Sequence, residues 1–158
     1  MIIPGRRLKR SRRGGYDLRL PAPERELLAS LAGQLRQVLS GDDLASEPSV
    51  RRLFPSAYAD DPARDSEFRE LVHDDLLGAR LAALEVVEST VEGSHLDEEQ
   101  LLSWMGAVND LRLVLGTRLD VSEETVFDAD ATHPDAPALA VYHYLSFLLE
   151  TIVDASSD

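Results

Sequence analysis

The sequence predicts a mainly α-helical domain, a bundle of about four helices with an N-terminal β-hairpin, and three observations carry that reading. Apolar residues recur at three- and four-residue steps in four separate windows. Near the N-terminus the pattern alternates instead, with Tyr16, Leu18 and Leu20 set against Asp17 and Arg19 just after a Gly14-Gly15 pair. Prolines gather between the helical windows or at their first turns. A chain of 158 residues is close to the common size of one domain, so one core is expected for residues 1–158.

Residues 6–20 read as two short strands joined by Gly14-Gly15, with Leu8 in the first. Side chains alternate in a strand, so Tyr16, Leu18 and Leu20 share the face that must lie on the helical body, residues 22–155. Pro21-Ala22-Pro23 ends the ribbon, and Pro23 suits the first turn of a helix reaching about Ser40, where Gly41 stops it. Leu27, Leu28, Leu31, Leu35, Val38 and Leu39 are its apolar stripe. From Asp42 to Asp65 the periodicity dissolves into acids and prolines, and this stretch is predicted to be mobile, with one apolar turn from Val50 to Phe54 that packs locally.

The next helix is predicted over 66–90. Its broad stripe, from Phe68 and Leu71 through Leu84 and Val86, implies burial on more than one side and marks it as the central helix. Gly93-Ser94 breaks it, Asp97 with Gln100 has the spacing of a capping box, and the third helix carries Leu101, Met105, Val108, Leu111 and Leu115 to about Leu119. Asp135 and Pro137 open a last helix with Val141, Tyr144, Leu145, Leu148 and Ile152.

Charge is polarised along the chain. Residues 1–20 hold Arg6, Arg7, Lys9, Arg10, Arg12, Arg13 and Arg19 against Asp17, a balance of +6, while residues 21–158 hold nine basic and 28 acidic side chains, a balance of −19. So negative a body repels phosphate backbones within about one Debye length, roughly 8–10 Å, which points to protein partners and makes nucleic acid the lesser expectation. No window looks long and uninterrupted enough in apolar residues for a membrane span, and no apolar segment follows the basic N-terminus, so the expected location is the cytoplasm. The chain has no cysteine, which excludes disulfides and thiolate chemistry within these residues.

No reaction is legible. Glu70 and His73 share E-x-x-H spacing, as do Glu92 and His95, but a di-metal bundle needs both pairs projecting inward from helices, and the second pair straddles Gly93 in a turn. His143, between Tyr142 and Tyr144, has no acid one turn away. The reading is of a protein that is not an enzyme and has no cofactor or metal.

Two groups of residues are candidates for partner binding: Arg6, Arg7, Arg10, Arg12 and Arg13 in the basic ribbon, and Trp104, Asn109, Asp110 and Arg112 in the densest apolar stretch. The stem of Arg112 should be partly buried among Val108, Leu111, Leu115 and Gly116, with a guanidinium in need of an acid. A polar clamp that fixes helix packing is favoured there over a docking patch centred on Trp104. For the arm, contact with the chain's own acids or with a protein is favoured over direct contact with nucleic acid. Homodimerisation through an exposed flank of the long helix is also open.

The Arg-rich hairpin, Glu24-Arg25-Glu26-Leu27-Leu28, Val50 to Pro55, Glu99-Gln100 through Trp104, Val108-Asn109-Asp110-Leu111-Arg112-Leu113, Leu115-Gly116 and Val141-Tyr142, in that order, resemble the actinobacterial AosR-like family of domains of unknown function. That resemblance implies a transcription-associated regulator of the oxidative-stress response. It implies redox sensing by a cysteine pair, an alternative sigma factor as partner, and a genomic setting beside a protease adaptor. The absence of cysteine departs from it at its centre: a sensing disulfide cannot form, and a regulatory role here would be redox-blind or served by another protein's sensor.

Overall fold

A computed structural model describes residues 7–41, Leu53, 62–119 and 136–157, with the side chains of 62–75 left aside. Along these residues run β1 (Leu8–Arg10), β2 (Tyr16–Leu18), α1 (Ala22–Leu39), α2 (Pro62–Thr90), β3 (His95–Leu96), α3 (Glu98–Arg118) and α4 (Ala136–Ser157). The fold is mainly α with a small antiparallel sheet in the order β1-β2-β3.

The hairpin forms where the alternation places it. β1 and β2 pair antiparallel with Leu8 opposite Leu18 and Arg10 opposite Tyr16, and Gly14 and Gly15 take φ of +91° and +69° in the turn, a region L side chains rarely enter. Leu8, Tyr16, Leu18 and Leu20 are all buried. β3 was not foreseen. Its two residues, His95 and Leu96, are too few to show a period, and only pairing with Tyr16 and Asp17 makes them a strand.

Each helix begins on a local signal. α1 has proline in its first turn. α2 starts at Pro62, four residues before the predicted boundary, so Pro62 to Asp65 are helical; proline tolerates a first-turn position because its missing N–H is not needed there. Apart from Leu53, which is fully buried, residues 42–61 lie outside the described residues. At α3 the Asp97 carboxylate accepts from the Gln100 N–H at 2.7 Å while the Gln100 side chain accepts from the Asp97 N–H at 2.9 Å, the reciprocal cap read from the spacing.

The helix at the centre is α3 rather than α2. α2 packs on α1 and α3, as its broad stripe requires, but α3 touches α1, α2, α4 and β3. It buries Leu101, Trp104, Ala107, Val108, Leu111 and Val114. α4 packs on α3 and β1 and buries Leu145, Leu148, Ile152 and Ala155. By length and composition α4 is apolar enough to cross a membrane, with a mean hydropathy of 1.3, a property that breaks at its charged residues had concealed in the sequence.

Candidate functional site

The sheet is fastened to the bundle by two arginines. Arg7 donates from Nε and Nη2 to the two carboxylate oxygens of Glu24 at 2.7 and 2.8 Å, joining the ribbon to α1. Its guanidinium also lies 5.1 Å from the ring centroid of Phe147 on α4. The Arg7 hydrogen bonds hold the Glu24 carboxyl below the usual carboxylate range. Burial, reinforced by the neighbouring Glu24, pushes the Tyr144 phenol well above its ordinary value. Arg25 is the second fastener: Nε donates to the Leu20 carbonyl at 2.7 Å, and Nη1 to the carbonyls of Val91 and Gly93 at 2.8 and 2.9 Å. The Val91 and Gly93 carbonyls lie just beyond the C-terminal end of α2, where orphan acceptors favour a cation.

Of the predicted ribbon residues, Arg6 lies outside the described residues. Arg7 is turned inward, with its donors committed to Glu24 within the chain. Arg10 lies 5.4 Å from the Tyr16 ring centroid and donates to the Tyr16 hydroxyl at 3.4 Å. Arg12 and Arg13 stand exposed in the turn. Among the described residues no carboxylate forms an ion pair with Lys9, Arg10, Arg12, Arg13 or Arg19, and of the described cations of the arm Arg7 alone pairs with one of the chain's own acids.

The second predicted group separates into core and flank. Trp104 is 0% exposed and donates from Nε1 to Thr90 Oγ1 at 2.8 Å, so it joins α3 to the end of α2 and offers no surface to a partner. Asp110 is 3% exposed and accepts from Arg80 Nη1 of α2 at 2.5 Å, and Arg80 Nη2 donates to the Leu53 carbonyl at 2.9 Å. Trp104 and Asp110 are thus buried in the packing between α2 and α3. Burial drives the Asp110 carboxyl above its ordinary value, with Arg80 opposing the shift. Asn109 and Arg112 do not join this pair. Arg112 donates to Asn109 Oδ1 at 3.0 Å within α3, and that amide takes the place of the acid expected for the guanidinium.

Arg25, Arg80, Glu24, Thr90 and Tyr144 act in these contacts and were not among the candidate site residues read from the sequence. Periodicity marks Arg80 as an interruption of the apolar stripe of α2, the one signal available. Among the described residues no three His, Cys, Asp or Glu side chains gather as a metal site would require. Glu92 and His95 are exposed, with His95 in β3, while the side chains of Glu70 and His73 lie outside the description. His143 is exposed on α4, edge-on to Tyr142 at 6.4 Å.

A family model described as "Domain of unknown function (DUF2017)" matches residues 6–156. The proteins called "Oxidative stress regulator AosR" in Mycobacterium tuberculosis (strain H37Rv) and Mycobacterium bovis are 29% identical over 124 residues, covering 68% of this chain and 57% of theirs. The "Putative oxidative stress regulator AosR" of Mycobacterium leprae is 30% identical over 124 residues with the same coverage. The chain thus spans a little over half the length of these curated relatives. No solved structure matches the chain.

Proposed function

The chain belongs to the DUF2017 family, and from that membership we propose that it is a regulatory or adaptor protein of the stress response that docks on a protein partner and performs no catalysis. The names of the mycobacterial relatives support the regulatory setting. The observation that carries the docking mechanism is the −19 balance of residues 21–158. An acidic surface of that strength complements a basic one, such as the nucleic-acid-binding face of an alternative sigma factor, and steers its approach. A protease-adaptor partner offering a basic surface fits the same chemistry. With no cysteine in the 158 residues, a regulatory role carried by them is redox-blind or served by another protein's sensor.

The experiment is co-elution of the chain with the alternative sigma factors of its host at low and high salt. The expected result is a complex at about 0.1 M salt that dissociates toward about 1 M, where the Debye length falls to about 3 Å. No complex with any of them, or one indifferent to salt, overturns the reading. Direct DNA binding with the hairpin as a wing is the rival, favoured by the exposure of Arg12 and Arg13; a gel shift with duplex DNA separates the two.

A further inference from the structure

We infer a second interaction surface, opposite in sign to the acidic body: the turn end of the hairpin, where Lys9, Arg10, Arg12 and Arg13 bind a short acidic segment of a partner protein. Lys9, Arg10, Arg12 and Arg13 are all exposed, and none forms an ion pair among the described residues although the molecule carries 29 acidic side chains. Arg7, by contrast, has found its carboxylate. Four cations left open on an anionic protein are available to an anion from outside.

The surface is preorganised. Ser11 N–H donates to the Gly15 carbonyl at 2.9 Å, Gly14 N–H to the Ser11 carbonyl at 3.3 Å, and Arg13 N–H to Ser11 Oγ at 3.2 Å, so the turn is braced from three directions. Arg10 is steered along Tyr16, whose ring is itself fixed in the core. Little ordering of the turn remains to oppose binding.

The opposite edge of the same sheet selects the kind of anion. β3 lies across β2 from β1, and it is bracketed in sequence by Glu92, Asp97, Glu98 and Glu99, all exposed. Two strand spacings, roughly 10 Å, separate β1 from β3, which is about one Debye length at physiological salt. A duplex carries a phosphate charge about every 1.7 Å along its axis, so one laid along the cationic edge places further phosphates beside the carboxylates of the other. A short acidic peptide reaches the tip alone. A second copy of the chain is a poor occupant, because two molecules of net charge −13 repel.

The test is fluorescence anisotropy with a labelled glutamate-rich peptide and a labelled DNA duplex of equal net charge, at about 0.15 M ionic strength. The peptide is expected to bind, and to bind at least about tenfold more weakly to Arg12→Glu/Arg13→Glu, whose unfolding midpoint should stay near that of the parent because both side chains are exposed. The duplex is expected to bind the parent more weakly than the peptide, and Glu98→Gln/Glu99→Gln should narrow that gap while leaving peptide affinity in place. Peptide binding unchanged by the charge reversal, a duplex bound as tightly as the peptide, or self-association that the reversal abolishes would each overturn the inference. This surface stands or falls apart from the sigma-factor complex: loss of that complex with peptide binding retained removes only the proposed function, and the converse removes only this site.

Discussion

At the scale of single residues, the contact of greatest consequence for stability is Arg80 with Asp110, an ion pair whose carboxylate is almost wholly buried. Removing one member of such a pair leaves an uncompensated charge in the interior, so Arg80→Met is expected to cost about 3–5 kcal/mol, read from the denaturant midpoint. Its pH dependence has a defined sign. Without the guanidinium, burial alone acts on Asp110 and raises its folded-state value further above that of the unfolded chain. The folded variant then binds the proton more tightly, and its stability falls as pH rises through the interval between the two values. The parent should therefore gain on the variant between about pH 4 and pH 7; an equal deficit at both would show that Asp110 is not the group left exposed to the loss. Neither partner predicts the other from sequence, since 30 positions separate them. Asp110 sits in a helical stretch that reads equally as surface or core.

At the scale of elements, the sheet depends on its ties to α1 and α4. Arg7 keeps the Glu24 carboxyl below its ordinary range, so the stabilisation is fully present above the unfolded value and is lost as pH falls through the lowered folded one. Glu24→Gln should lose about 1–3 kcal/mol at neutral pH, and its stability should decline less than the parent's between about pH 5 and pH 3. Parallel acid profiles would remove Glu24 from the acid response. The turn makes a sharper distinction. A Cβ on Gly15 would lie 2.6 Å from the Leu96 carbonyl oxygen and 2.7 Å from His95 Nε2, whereas one on Gly14 meets nothing within 4 Å. Both glycines have positive φ, so each alanine costs about 1 kcal/mol or more, but Gly15→Ala should be the worse by a further 1 kcal/mol or so and should loosen β3. Hydrogen exchange at Leu18 N–H, which donates to the Ser94 carbonyl at 2.8 Å, reads that loosening directly. The hairpin, the capping box and the helical windows were legible because each rests on neighbours a few residues apart. β3 was not, because its partner lies some 80 positions earlier in the chain. Composition shows the cluster of cations in the ribbon and the lone tryptophan, but it cannot say which cation finds an acid, as Arg7 does in Glu24, or which aromatic faces inward, as Trp104 does.

At the scale of the whole molecule, net charge sets the response to salt. With 29 acidic against 16 basic side chains, self-repulsion in the compact state outweighs pairs such as Arg7 with Glu24 and Arg36 with Glu88. Raising the ionic strength from about 0.01 to about 1 M should therefore raise the melting temperature by roughly a few degrees, as measured by calorimetry. A fall would mean that the attractive pairs dominate. By itself the sequence determined the helical class, the order of the hairpin and the four helices, the α3 cap and the hairpin turn, the polarity of charge and the exclusion of thiol chemistry within these residues, all of which follow from local pattern or from counting. Only the tertiary structure decided that α3 is the helix at the centre, that Arg7 is committed while the turn arginines stand open, that Trp104 and Asp110 belong to the interior, and that the basic β1 lies across β2 from a strand whose sequence neighbours are acidic. Those outcomes depend on which distant residues meet, and burial and pairing between remote positions leave no period in the chain to read.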